Sequence, residues 1–490
     1  MSLLERTRAA LDQAITVYRG TGHDGRLMAQ RDRLGEPLRV AIAGRVKAGK
    51  STLLNALVGE RLAPTDAREC TKVVTWYRNG HTYRVLARPR GGGPPRQLPF
   101  SRGTAAIEID FGGLAVDDLA ELEVTWPSQA LRTATLIDAP GIGSLSTDIS
   151  RRTWELLAPD DEETPADAVL YLMRHLHAGD LDFLRAFHDV DVARPNPVNA
   201  IGVLSRADEI GVGRIDAMAS ARRVAARLAA EPNVRRVAQT VVPVAGLLAE
   251  TAATLTETET DALRRVAALP PQATEQLLLT ADRFVNTAVG LDLTTEQRAA
   301  LLHRFGLFGV RLSCALLRRG AISTAVELAR ELTERSGINQ LRQTLDTLFF
   351  ERRDVLKSRS ALLALDTLTR QVPRPGSAAV AATVEEVIAS AHPFNELRVL
   401  SSVRAGWVDA RAEVLVDLER LIGGGGTTAA QRLDLPTDAA PTALAKAAEA
   451  ALLRWQRRAE NPLTRHELAV ASRVAIRSCE GLLADLAGAR

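Results

Sequence analysis

The run GRVKAGKS, Gly44 to Ser51, places two glycines five residues apart and follows the second with a lysine and a hydroxyl. A loop of this form turns its backbone N–H groups inward around a di- or triphosphate, which side chains at the glycine positions would obstruct. Lys50 then reaches the β- and γ-phosphates, and the Ser51 hydroxyl ligates magnesium. Gly44, Val46, Lys47, Ala48, Gly49, Lys50, Ser51 and Thr52 form the expected phosphate-binding set. The chemistry is that of a nucleoside triphosphate with Mg2+.

Three later stretches extend the reading. In TATLIDAPGIGS an apolar strand delivers Asp138-Ala139-Pro140-Gly141, the D-x-x-G element. There the aspartate holds magnesium through water and the Gly141 amide senses the γ-phosphate. VLSRAD then ends on Asp208, whose carboxylate can accept both donors of guanine's Watson–Crick edge, N1–H and the 2-amino group. Adenine has no N1–H, so this carboxylate selects guanine. Ser205 and Arg206 stand where guanine readers of the form [NT]-K-x-D have their first two residues, and the arginine can still cover the ring. VVPVAG (241–246) has the form of the loop that closes over the base, with Ala245 as its contact. GTP is the expected substrate.

With these residues in place, a resemblance follows. DAPG has the D-x-P-G form of large dynamin-type GTPases, and LAPTDARECTKVVTW after the phosphate loop resembles their first switch. The chain resembles bacterial dynamin-like proteins, and within them the isoniazid-inducible dynamin-like proteins of mycobacteria. The motif match covers roughly residues 38 to 250. The resemblance implies that Thr71 is the switch threonine that ligates magnesium, together with Ser51 and Asp138, and positions the attacking water. It also implies self-association, with two GTPase domains meeting face to face.

The catalytic set is then Lys47, Lys50, Thr71 and Gly141. Small GTPases orient water with a glutamine just after D-x-x-G; Ile142, Gly143 and Ser144 supply none. Dynamin-type proteins use a polar phosphate-loop residue and a bound monovalent cation instead. That place, three residues before Lys50, holds Lys47. Its ammonium could supply in cis the charge of the cation, or it could point to solvent or across a dimer.

Composition bounds the remainder. The 490 residues allow two to four domains, 46% of them are hydrophobic and 4% aromatic, and the abundance of alanine and leucine favours helix. A net charge of +3 gives no reason to expect nucleic acid as a partner. Cys70, Cys314 and Cys479 lie far apart in no metal spacing, which fits a reducing cytoplasm. MSLLERTRAALDQ lacks the apolar region of a secretory signal, and no run approaches about 18 uninterrupted apolar residues. Membrane contact would be peripheral, at the inner face of the plasma membrane.

The elements expected to carry this chemistry are an α/β GTPase domain of dynamin type and an elongated all-α bundle. Residues 1–34 are expected as an N-terminal helix capped by Ser2 and Glu5 that joins the bundle, 35–335 as the GTPase domain with a helical extension, and 336–490 as a helical neck or trunk with a membrane-contacting tip. PRGGGPPRQLP (89–99) reads as a loop, and HRFGLFGVRLSCALLRRG as a core helix with arginine ends. Ile338 to Leu362 carries the period of one long helix, and Leu397 to Leu421 repeats it after the PRPG break. Asn461-Pro462 is expected to kink a final helix, and QVPRPGSAA (371–379) to form the tip, flanked by Arg370 and Arg374. Phe349, Phe350, Arg352, Arg353 and Lys357 are a basic, aromatic rival on a core-patterned helix.

Two functions fit. In one, GTP hydrolysis drives remodelling of an anionic phospholipid membrane by fission or fusion. In the other, the protein is a nucleotide-switched scaffold that docks a protein partner without touching lipid.

Overall fold

The fold is that of a computed structural model, which describes residues 1–64, 73–103, 107–141, 165–175, 178–187, 199–211, 213–287 and 290–488. Among the described residues eleven strands form in chain order: β1 (Leu38–Gly44), β2 (Val74–Asn79), β3 (Arg84–Pro89), β4 (Arg96–Leu98), β5 (Phe100–Arg102), β6 (Ile107–Ile109), β7 (Leu119–Trp126), β8 (Ala134–Asp138), β9 (Ala168–Met173), β10 (Ala200–Ser205) and β11 (Val241–Val244). Nine of them make one sheet in the order β11-β10-β9-β1-β8-β2-β7-β3-β4, and β5 pairs with β6.

From β11 to β8 the strands run parallel; β2 is antiparallel to β8 and opens an extension through β7, β3 and β4. The central strands are apolar throughout because helices cover both faces. Alternation along β1 sends Val40 and Ile42 to one core and Ala41 and Ala43 to the other. β4 lies inside the stretch expected as a loop; as a three-residue edge strand it follows the Pro94-Pro95 pair and pairs on one side only.

The helical part departs from the expected long rods. The N-terminal segment is two helices, Leu3–Val17 and Asp24–Arg33, the first with the Ser2/Glu5 capping box. Helix Ile338–Leu345 runs into a π-helical turn, Asp346–Phe350, and a new helix starts at Arg353 and ends at Gln371. Helix Ser377–Ser390 returns beside it, and Gly376, at φ 95°, turns the chain where a Cβ would lie 3.1 Å from Val17 Cγ2. Tyr18 Oη donates to the Val372 carbonyl at 2.9 Å. Residues 371–379 therefore turn against the end of the N-terminal helix, within a bundle built from helices 3–17, 24–33, 353–371 and 377–390. The Phe349, Arg352 and Lys357 patch is buried, as packing requires.

The repeat after Ala391 is also several pieces: His392–Arg404, Ala412–Leu421 and the short Ala429–Leu433. The last run is no kinked rod. Pro441–Glu460 and His466–Gly488 fold back on each other as a hairpin. Its buried Trp455, Ala471, Ala475 and Cys479 pack with Val399, Leu418 and Leu421 as a separate core. This second bundle is fastened to the first by Arg352, which donates to the Gly423 carbonyl. Arg235 of the sheet domain reaches Glu419 at 3.5 Å.

Helix Thr295–Arg318 is long and apolar enough, by length and composition, to cross a membrane, with a mean hydropathy of 1.4; half of that window is buried. Phe305, Phe308, Val310 and Cys314 join the core of the sheet domain. Arg311 donates to the carbonyls of Gly213 and Leu278, and Arg318 to those of Ala267 and Leu269. It is a core helix whose arginines tie down neighbouring chain ends.

Candidate functional site

The phosphate loop joins β1 to helix Lys50–Val58. Gly44 closes the strand at φ 145°, and a Cβ there would lie 2.5 Å from the Leu172 carbonyl oxygen. Only glycine lets the loop leave β1 this close to β9. Lys47 holds a left-handed φ of 63° and Gly49 one of 93°. For a lysine that backbone is uncommon, and the side chain is exposed. Ala48 is buried beneath the loop.

Lys50 Nζ lies 3.4 Å from the Gly44 carbonyl oxygen and 3.5 Å from that of Arg45. Its ammonium is thus folded back over the cradle. Burial lowers its pKa, and Asp138 opposes that shift. Ser51 Oγ donates to Asp138 Oδ2 at 2.9 Å. Burial in turn raises the Asp138 pKa, against the pull of Lys50 and Ser51.

Asp138 Oδ1 is buried and has no hydrogen-bond partner among the described residues. An orphaned carboxylate oxygen beside a serine hydroxyl fits Mg2+, a hard cation commonly bound by one or two carboxylates and substrate phosphates. No cluster of three His, Cys, Asp or Glu side chains fit to hold a metal occurs among the described residues. Ser51 and Asp138 are the residues here that would hold magnesium, which supplies charge neutralisation between the β- and γ-phosphates when bound.

Gly141 abuts the same loop. A Cβ on it would lie 2.6 Å from Val46 Cγ2 and 2.9 Å from Val46 Cα, so the segment after β8 touches the cradle through a position that must stay bare. Thr71 lies outside the described residues, as do Ile142, Gly143 and Ser144.

Beside the cradle a cavity of about 160 Å³ is lined by Ala48, Gly49, Thr52, Leu53, Leu172, Val203, Ser205, Arg206, Asp208, Glu209, Val244, Gly246 and Leu247. The phosphate loop and the Ser205–Asp208 segment both line this hollow. Arg206, at φ 51°, begins the short 3-10 turn Ala207–Glu209, and its guanidinium pairs with Glu209 at 2.8 Å. Ser205 Oγ donates to the Met173 carbonyl at 3.3 Å, which ties β10 to β9. Ala245 is buried, and its N–H goes to the Ser336 carbonyl. The wall expected from it is made by Gly246 and Leu247 instead.

Sequence reasoning missed the apolar wall of Leu172, Val203 and Val244, because residues at strand ends carry no mark beyond their hydrophobicity. Gly306 was missed too. It breaks helix Thr295–Arg318 at φ 61° and ψ 172°, and a Cβ there would stand 4.0 Å from Asp208 Oδ2. The other unforeseen contact is on the phosphate loop itself. Arg45 Nε lies 3.8 Å from the buried Asp180, which accepts from Tyr171 Oη at 2.7 Å.

Burial raises the pKa of Asp208 to about 6; Glu209 adds to the rise and Arg206 opposes it. If Asp208 accepts guanine's two donors, as its place in the sequence leads one to expect, it must do so in the ionised form. As pH falls through about 6 the carboxylate takes up a proton, so GTP affinity should fall about tenfold for each further unit. Titration of a fluorescent GTP analogue from pH 7.5 to 5 checks this; a flat profile down to pH 5 would contradict it.

Comparison with known proteins places this geometry. Residues 40–204 match the Dynamin family. The isoniazid-induced protein IniC of Mycobacterium tuberculosis is 43% identical over 498 aligned positions, covering 100% of both chains. The isoniazid-induced protein IniA of the same species is 28% identical, over 56% of this chain and 42% of its own. A solved structure described as an oligomerised bacterial dynamin pair aligns with 99% of this chain and 91% of its own, at 12% identity and a TM-score of 0.33. Full-length identity at this level, with residues 40–204 matching the family, leaves one conclusion: the chain belongs to the dynamin family and is a dynamin-like GTP hydrolase.

Proposed function

We propose that this GTPase couples GTP binding and hydrolysis to the binding and remodelling of an anionic phospholipid membrane. It does so as a peripheral protein at the cytoplasmic face of the plasma membrane, self-associating through its GTPase domains. In this reading Lys50 and the Gly141 amide meet the γ-phosphate. Ser51, Asp138 and Thr71 hold magnesium, Thr71 also positions water, and Asp208 reads the base.

The observation that supports the coupling lies at the entry of β1. Lys357, buried on helix Arg353–Gln371, donates from Nζ to the carbonyls of Arg33, at 2.7 Å, and Glu36. Arg33 Nη2 reaches Asp167 Oδ1 at 2.6 Å, and Asp167 Oδ2 accepts from the Arg39 N–H at 2.9 Å. β1 starts at Leu38 beside this knot and ends at Gly44 in the phosphate loop. One seven-residue strand and the short turn 34–37, which Lys357 pins at the carbonyls of Arg33 and Glu36, therefore connect the nucleotide cradle to the first bundle, leaving little slack to absorb a displacement.

The membrane half of the reading rests on membership of the dynamin family. Co-sedimentation with vesicles tests it: the protein should pellet with phosphatidylglycerol vesicles, more so with a non-hydrolysable GTP analogue. Protein left in the supernatant at every lipid and nucleotide would favour the scaffold that docks a protein partner.

Lys47 gives a second test. Exposed, with a left-handed backbone, three residues before Lys50, its ammonium takes the place of the monovalent cation. Turnover should then be the same in potassium, sodium and choline salts. Lys47→Ser should make it fall about tenfold in choline. A wild-type enzyme that stops without potassium would remove this role.

A further inference from the structure

The turn at 371–379 is the place the sequence suggests for lipid contact, yet a different surface carries the chemistry. At one end of the hairpin formed by Pro441–Glu460 and His466–Gly488, the 461–465 turn meets the loop that precedes helix Ala412–Leu421. Between them lies an open groove of about 940 Å³ lined by five arginines, Arg411, Arg454, Arg457, Arg458 and Arg465, against one aspartate, Asp409.

Three of the five are anchored. Arg454 pairs with Asp417 at 3.1 Å, Arg465 pairs with Asp409, and Arg458 stacks over the buried Trp455 ring at 4.5 Å. Arg411 and Arg457 are exposed and have no carboxylate partner among the described residues. Guanidinium forks on a fixed frame suit phosphate oxygens, which accept two parallel N–H bonds. Glu460 and Glu467 flank the turn but do not line the groove.

The same end presents apolar side chains to solvent. Leu463, at the apex of the turn, is 90% exposed, Leu453 54%, and Trp407, two residues before Asp409, 41%. Water is a poor environment for them, and an aromatic ring beside arginines suits the boundary between headgroups and acyl chains. Charge and apolar tip point the same way.

We propose that this end of the hairpin is the membrane-contacting surface of the protein. Lipid phosphates lie in the arginine groove, held first by Arg411 and Arg457, while Leu463 enters the headgroup layer. The occupant is an anionic phospholipid bilayer. This rests on the membrane reading above and adds where the bilayer is met. The turn at 371–379 is a poorer candidate: Arg370 is paired with Asp366, and Val372 is held by Tyr18.

The test uses the full chain. Arg411→Glu with Arg457→Glu, and separately Leu463→Asp, are compared with Arg370→Glu plus Arg374→Glu in sedimentation with phosphatidylglycerol and phosphatidylcholine vesicles. The first pair should weaken phosphatidylglycerol binding about thirtyfold or more, given roughly fivefold per basic residue near an anionic surface. Leu463→Asp should weaken it about tenfold, and the 370/374 pair should bind as wild type does. GTP turnover without vesicles should be unchanged in all three, because none of these residues lines the nucleotide hollow, and that turnover also reports intact folding. Wild-type binding that survives both groove variants overturns the proposal while leaving the membrane reading standing. Wild-type protein that pellets with neither lipid overturns both.

Discussion

Replacing Lys50 by alanine should lower GTP turnover about a thousandfold. The ammonium is held over the phosphate cradle by the Gly44 and Arg45 carbonyls, so it needs little reorganisation to meet charge that develops on the γ-phosphate. Fixed donors and charges aimed at such a site are each worth roughly two to three orders of magnitude in rate. The side chain is the first of helix Lys50–Val58 and is only partly buried. Alanine is also the strongest helix former, so the fold should be retained. Single-turnover hydrolysis checks the rate and a thermal unfolding curve checks the fold. Turnover within tenfold of wild type would mean that Lys50 is not the cation that stabilises the transferred phosphate.

The second large effect concerns the base. Asp208→Asn should reverse the choice between GTP and xanthosine triphosphate. An aspartate accepts from N1–H and the 2-amino group of guanine. An asparagine accepts from N1–H but turns an N–H2 donor toward the other position, where guanine also donates and xanthine presents an oxygen. A hydrogen bond to a charged group is worth about 1.5–3 kcal/mol, and a buried unpaired donor adds a cost. GTP affinity should therefore fall by about two orders of magnitude or more, while xanthosine triphosphate gains. The dependence on pH near 6 should vanish with the carboxylate. Displacement of a fluorescent nucleotide measures both affinities; a variant that loses GTP without gaining xanthosine triphosphate, or a wild type that hydrolyses ATP faster than GTP, would sink the base assignment.

The nucleotide elements were legible because their chemistry tolerates few residue types. A phosphate loop needs bare glycines, a lysine and a hydroxyl at fixed spacing, and the structure folds Lys50 over Gly44, joins Ser51 to Asp138, and brings Ala48, Gly49 and Thr52 of the same loop and helix to one hollow with Asp208. The apolar strands that deliver them were visible for the same reason. The wall of that hollow was not visible: Leu172, Val203 and Val244 look in sequence like any buried strand residue. Gly306 reads as a tolerated glycine in a helix until its φ of 61° is known.

The helical part was legible as helix and illegible in its breaks. Leu345, Leu348 and Phe349 stay buried through the π-helical turn, so the apolar period runs on across Asp346–Phe350 while the helix geometry changes. Ala391, before Pro393, divides helix Ser377–Ser390 from His392–Arg404. Pro393 sits in the first turn of the new helix, where its missing N–H costs no hydrogen bond and where it could not continue the old one, but neither side loses its apolar face. Asn461-Pro462 marked an interruption, and only the packing of Trp455 against the second core makes it a reversal rather than a kink. Periodicity reports which side of a helix is buried and says nothing of where the next helix goes.

The central claim is that nucleotide chemistry and a lipid surface are coupled through β1 and the first bundle. GTP turnover by the full-length protein, measured with and without phosphatidylglycerol vesicles at equal salt, tests it most directly. The account predicts a several-fold rise with phosphatidylglycerol, none with phosphatidylcholine, and no rise in a Lys50→Ala control. Turnover that stays the same while the protein pellets with the vesicles would contradict the coupling.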